Sequence, residues 1–134
     1  MQKKLIIVII CAAIAAVGFF GGKYFYDVAK YKSIVADIEV RTPDLSQIPD
    51  GVYNGSFNAI LAAADVDVTM QDHRITGIVI NEHYNDRGAK AEIITESVIA
   101  QQSLEVDTVS GATNSSKVIL KAVENALVSE AIKN

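Results

Sequence analysis

Residues 64–80 read Ala-Asp-Val-Asp-Val-Thr-Met-Gln-Asp-His-Arg-Ile-Thr-Gly-Ile-Val-Ile, and this stretch decides the fold class. Ala64, Val66, Val68 and Met70 alternate with Asp65, Asp67 and Thr69, the period-two pattern of a strand with one buried and one wet face. Residues 74–80 are rich in β-branched side chains and read as a second strand. The short polar connection Gln71, Asp72 and His73 joins the two as a hairpin. Its tip needs a residue tolerant of positive φ, a demand that Asp or His meets less easily than Gly.

Working outward, residues 52–58 alternate weakly and give another strand, with Gly55 marking a bulge or a close backbone approach. Downstream the period changes. Ala91, Ile94, Val98 and Gln101 share a helical face, with Ile93 and Ala100 nearby, which sets a helix over 89–102. Ile119, Ala122, Val123, Ala126, Leu127, Ala131 and Ile132 follow the spacing of a final amphipathic helix, which Asn114 or Ser115 can cap. Strands first, helices after, and no internal repeat give an α+β fold: a small antiparallel sheet with helices, over residues 50–134.

Before this domain comes a different kind of sequence. After a tail of residues 1–4, residues 5–22 carry no charged side chain, and Tyr24, Phe25 and Tyr26 follow as an interfacial belt would. The run is at the lower edge of what crosses a hydrocarbon core of roughly 30 Å, and it reads as a single N-terminal transmembrane helix. Ala13, Ile14 and Ala15 offer a small-x-small cleavage site, but cutting there would leave an apolar new terminus. Cys11 follows Ile10 where a lipoprotein signal has a small residue, so it reads as an apolar residue of the span. Lys3 and Lys4 stand before the span and Lys23, Lys30 and Lys32 after it, so the positive-inside count does not set its orientation. Residues 23–49 are expected to be stalk and linker. Val28, Tyr31, Val35 and Ile38 keep helical spacing within residues 27–41, and Pro43 and Pro49 mark the linker and turn.

Charge narrows the function. Residues 33–134 hold seven Lys/Arg against fifteen Asp/Glu, which argues against nucleic acid as a partner because phosphate contacts need clustered cations. An apolar content of 50% is too high for a disordered acidic tail. A single cysteine excludes an internal disulfide and a cysteine-ligated cluster, and His73 and His83 lack the helical spacing of a zinc pair.

Residues 107–116, Asp-Thr-Val-Ser-Gly-Ala-Thr-Asn-Ser-Ser, form the densest cluster of small hydroxyl residues and sit directly before the last helix. On physical grounds they are either a turn and a redundantly capped helix start, or an anion site in which backbone N–H groups face a phosphate. The phosphate-loop pattern with its Lys and the nucleophile-elbow pattern are both missing. Ser110 has no histidine close in sequence to act as base, and only a fold that brought His83 near would supply one.

Within this segment Asp107, Ser110, Gly111, Ala112, Thr113 and Ser115 resemble the flavinylation signature of the FMN-binding domain family. That family includes the C subunit of sodium-translocating NADH:quinone reductase and the G subunit of the Rnf electron-transfer complex. The resemblance runs from residue 48 to residue 127. It takes in Asp50, Gly51, Tyr53 and Gly55, the hairpin ending in His83, Gly88 with the helix after it, and residues 122–127. It implies FMN held through a phosphoester on Thr113, installed from FAD by a separate magnesium-dependent flavin transferase. Asp107, Ser110, Gly111, Ala112, Asn114, Ser115, His83 and Gly88 are its implied cofactor-binding neighbours. The chain departs from the family pattern at His73, where many members have Gly at the hairpin tip. It departs again at residues 83–88, where some members carry a Pro-Gly-x-Gly loop and Arg87 reads as a solvated charge.

The implied function is a membrane-anchored, extracytoplasmic electron carrier with one covalent FMN. Its partners would be the transferase, a membrane redox partner such as a quinone reductase or electron-transfer complex, and membrane lipid. The alternatives are a tethered structural or interaction module without flavin, and a non-catalytic subunit of a larger redox complex. The few acid–base candidates (His83, Tyr84, Asp86 and Arg87) fall in one loop, which favours a carrier over an enzyme with its own small substrate.

Overall fold

The computed structural model of the chain describes residues 1–84 and 88–131. The element that begins the chain is a single helix, α1 (Gln2–Ala36), of 35 residues. The expected span and most of the expected stalk are therefore one continuous rod. Nothing interrupts it, because Gly18, Gly21 and Gly22 face open space and no proline falls within it. Leu5, Val17, Phe19 and Phe20 are all exposed, and the helix is long and apolar enough to cross a membrane.

The sheet contains three strands, β1 (Gly51–Asn58), β2 (Ala63–Gln71) and β3 (Arg74–Tyr84), in an antiparallel meander of order β1-β2-β3. Alternation in β2 is obeyed in full: Ala64, Val66, Val68 and Met70 are buried. The opposite face stays wet, and the Asn54 amide bridges Asp65 Oδ1 and Asp67 Oδ1 at 2.9 Å each. That amide donor holds the Asp67 carboxyl below its ordinary value of 3.8.

At the hairpin tip Gln71 pairs with Arg74, leaving Asp72 and His73 as a two-residue turn with φ of 52° and 58°. Two successive positive φ values are the signature of a type I′ turn, formed here without glycine. The Asp72 N–H donates to Asp50 Oδ1 at 2.8 Å, and this bond helps hold the tip. Strand β3 runs four residues beyond its expected end at residue 80, because Ala64 pairs with His83 and Ala63 with Tyr84. Polar side chains at Asn81 and Glu82 hide this continuation from a hydrophobic reading, and a register irregularity between Asp65 and Val66, opposite Glu82 and Ile80, falls where it begins.

Helix α3 (Thr113–Ala131) lies across β1 and β2. Ile119, Ala122, Val123, Ala126 and Leu127 are fully buried, as their spacing requires, whereas Ile132 lies outside the described residues. Gly55 resolves to the close approach: a Cβ there would collide with Ala122 O and Ala126 N. The helix expected over 89–102 is divided into a 3-10 turn (Ala89–Ile93) and α2 (Ile94–Gln101). Gly88 offers no side-chain cap, and the Ala91 N–H bonds tightly back to Gly88 O at 2.8 Å. Ala91, Ile94 and Val98 are buried, but Gln101 is exposed. Its neighbour Gln102 turns left-handed at φ 52° and clamps β3, its amide accepting from Ile75 N–H and donating to Ile75 O, both at 2.8 Å.

The residues expected as stalk and linker pack on the domain. Val35 and Ile38 are buried beside α3, and Ile48 is buried completely. Lys121 Nζ donates to Glu39 O at 3.0 Å, and the Leu104 N–H donates to Thr42 Oγ1 at 2.9 Å. Asp44 caps the 3-10 turn Leu45–Gln47 by accepting from Ser46 Oγ at 2.6 Å and Ser46 N–H at 3.0 Å. These bonds lower the Asp44 carboxyl pKa, the side-chain bond contributing most. Residues 38–49, expected as an open linker, are therefore a strap docked on the domain.

Candidate functional site

The hydroxyl-rich segment folds into a turn that feeds α3. The Ala112 N–H bonds to Val109 O at 2.9 Å, and Gly111 between them has φ of +76°. Ser110 is not left-handed, so the pair describes a type II turn, whose third residue must accept positive φ. Ser116, fully buried, locks the turn to the helix: its Oγ accepts from Val109 N–H at 3.0 Å, and its own N–H begins the helical ladder on Ala112 O at 2.9 Å. Sequence reading passed over Ser116, although a hydroxyl one turn into a helix and facing the preceding loop is a recognisable local bond.

Helix α3 begins at Thr113, two or three residues earlier than a cap at Asn114 or Ser115 requires. Ala112 precedes it and has no side-chain acceptor. Among the described residues, the N–H groups of Thr113, Asn114 and Ser115 therefore find no acceptor in the protein, and they lie at the positive end of the helix dipole. Thr113 and Asn114 are exposed, while Ser115 is buried.

Gly88, Gly111, Ala112, Thr113, Asn114 and Ser115 come together along one open cleft of about 480 Å3. Ser110 and Asp107 are exposed on the same segment but do not border the cleft. His83 is not brought there either. Its ring is only 2% exposed and its Nδ1 stands 3.0 Å from Glu92 Oε1, so it joins the end of β3 to the 3-10 turn before α2. Asp86 and Arg87 lie outside the described residues. The opposite side of the cleft is one that the motif gave no hint of: Tyr24, Val28, Tyr31 and Lys32 of α1. Lys90 is a further neighbour, since a Cβ on Gly111 would lie 2.6 Å from its Nζ. No motif contains Lys90 or Lys32, whereas Val28 and Tyr31 already share a helical stripe by their spacing, and Tyr24 extends it at i, i+4 and i+7.

A three-stranded antiparallel sheet crossed by a helix, with a hydroxyl-rich turn exposing a threonine at that helix's start, defines a small α+β domain able to receive an anion. The sequence pattern of the FMN-binding domain family matches residues 62–128, half of the chain, and the chain belongs to that family. It is also similar to an uncharacterized protein of Treponema pallidum (strain Nichols), 31% identical over 85 residues, which cover 61% of this chain and 24% of the relative. The chain thus spans about a quarter of the length of that relative. No solved structure gives a significant match.

The residues fit a flavin phosphate ester. The Thr113 hydroxyl is accessible, the N–H groups at the helix start lack protein acceptors, and the missing Cβ of Gly111 keeps the turn open beside the Lys90 ammonium. The cleft volume lies within the range of small-molecule sites, roughly 300–1,000 Å3.

Proposed function

We propose that this protein is a membrane-anchored electron carrier with FMN bound covalently through a phosphoester on Thr113. The observation that carries this reading is the position of Thr113, an exposed hydroxyl opening a helix whose first N–H groups are free to receive a phosphate. The resemblance of residues 107–115 to the flavinylation signature, with membership in the FMN-binding domain family, gives that position its chemical meaning.

A hydroxyl needs a proton acceptor to become a nucleophile. Among the described residues lining the cleft there is no carboxylate and no imidazole. A separate flavin transferase is therefore assigned the chemistry. Thr113 Oγ1 attacks the FMN phosphorus of FAD, the Oγ1–P bond forms, the anhydride P–O bond breaks, AMP leaves, and the hydroxyl proton passes to a base of the transferase. The residual single negative charge of the diester then faces the free N–H groups and Lys90.

Once bound, the flavin supplies electron transfer. A described lining without carboxylate or imidazole suits a carrier better than an enzyme that protonates its own substrate. The apolar part of α1 is read as a retained membrane anchor and the domain as extracytoplasmic, the second resting on the usual habitat of such transferases. A membrane redox complex is the partner class this reading requires.

The test is co-production of the full chain with a flavin transferase, followed by intact and peptide mass. Thr113→Ala should abolish covalent flavin and Thr108→Ala should retain it. Covalent flavin persisting in Thr113→Ala would end the assignment. A reporter active only in the cytoplasm, fused after Asn134, should be silent.

A further inference from the structure

The cleft that receives Thr113 is bounded on its far side by the membrane helix. Tyr24, Val28, Tyr31 and Lys32 stand at i, i+4, i+7 and i+8, so they form one stripe of α1, and this stripe faces Gly111 and Thr113. The stripe is held in place. Val35 and Ile38, just beyond it, are buried at 4% and 9% exposure, Tyr31 is partly buried against the same core, and Lys121 Nζ grips Glu39 O at 3.0 Å. Neighbouring aromatics on the same helix have no such setting: Phe25 and Tyr26 border no part of the cleft.

We propose that Tyr24, Tyr31 and Lys32 of α1 are part of the flavin site, so that the flavin is held against the membrane helix at the bilayer surface instead of being carried on a mobile arm. The inference rests on the attachment reading above. Its chemistry is that of the side chains along this stripe. Two phenol rings offer flat apolar surface to an isoalloxazine ring, and the Lys32 ammonium offers a counter-charge to the phosphodiester. The apolar run ends at Gly22, and at a rise of about 1.5 Å per residue the stripe from Tyr24 to Lys32 lies within about 15 Å of it along the helix. A flavin seated there has its depth set by the chain itself.

The experiment uses the full chain, flavinylated by a co-produced transferase and placed in lipid nanodiscs. Flavin emission is read beside intact mass, because a phenol in contact with isoalloxazine quenches its fluorescence by electron donation. Tyr24→Leu and Tyr31→Leu should each brighten the bound flavin severalfold with the covalent mass unchanged, and Tyr26→Leu should leave emission as in the parent. Headgroup-labelled nitroxide lipid should quench the parent flavin. Because Tyr24 is 63% exposed, its replacement does not disturb the core, and it decides the matter if Tyr31→Leu fails to fold. Full covalent mass with equal emission in the Tyr24 and Tyr26 variants overturns this inference and leaves the attachment reading intact. Absence of covalent flavin from the parent protein overturns both.

Discussion

Lys90 leans directly over Gly111: a Cβ on the glycine would come within 2.6 Å of the lysine Nζ, and the glycine itself holds φ at +76°. One residue supplies a backbone conformation that L side chains resist, and the other supplies a positive charge to the space thereby left open. Neither needs the other to fold, so their contributions separate experimentally.

Gly111→Ala should destabilise the domain by about 1–2 kcal/mol, because alanine at positive φ is strained, while the lysine tip can move aside. Denaturant unfolding of the flavin-free protein checks the magnitude, and flavin loading should fall as the turn deforms.

Lys90→Glu should do the reverse. The side chain is exposed and joins no ion pair among the described residues, so stability should change by no more than about 0.5 kcal/mol. The initial rate of flavinylation should drop severalfold, measured by the appearance of covalent mass under limiting transferase.

Gly55→Val should prevent folding or cost about 3 kcal/mol or more, because the added atoms would run into the Ala122 carbonyl and the Ala126 amide, and two backbones cannot yield as side chains do. Circular dichroism and expression of soluble material report the outcome. Gly77→Ala, where a Cβ would meet only Thr69 side-chain atoms at 3.6 Å and beyond, serves as the tolerated control.

Gln102→Leu should lose about 1–3 kcal/mol, since it strips the Ile75 N–H and carbonyl of their partners where β3 meets α2. Hydrogen exchange at Ile75 should accelerate more than exchange in β1.

Acid should weaken the fold in a way two carboxylates can be asked about. Asp44 and Asp67 both sit below their ordinary value of 3.8 when folded, the first through Ser46 and the second through Asn54. The unfolded chain then binds protons more readily. Their contribution is present above about pH 4, the ordinary aspartate range, and is lost as pH falls through the lower folded values. Asp44→Asn and Asp67→Asn should each lower the neutral plateau of an unfolding-versus-pH curve slightly, converge with the parent in acid, and so flatten the acid limb.

Much of the architecture was legible because it follows from local period. The alternation of Ala64, Val66, Val68 and Met70, the spacing from Ile119 to Leu127 and the uncharged run over residues 5–22 each translate into one element. The boundaries that slipped did so where polar residues are held by a partner strand or by another segment. Strand β3 continues to Tyr84 because β2 pairs with it, and residues 38–49 lie on the domain because Ile38 and Ile48 find a core to enter.

The site divides the same way. Its hydroxyl turn is contiguous in sequence, so Gly111, Ala112, Thr113, Asn114 and Ser115 could be named in advance, and Gly88 joined them along the same cleft. The structure left His83 elsewhere, bound to Glu92 and buried. Sequence alone determined the elements and the local chemistry of the turn, since backbone preference and hydrophobic period act over a few residues. Only the tertiary structure decided which distant side chains share the cleft. Tyr24 and Lys32 reach it from α1, Lys90 comes over Gly111 from the turn before α2, and that meeting depends on how α1 docks against α3 and on where the chain turns after β3. Such packing arises from the summed burial of many residues, and no short stretch of sequence contains it.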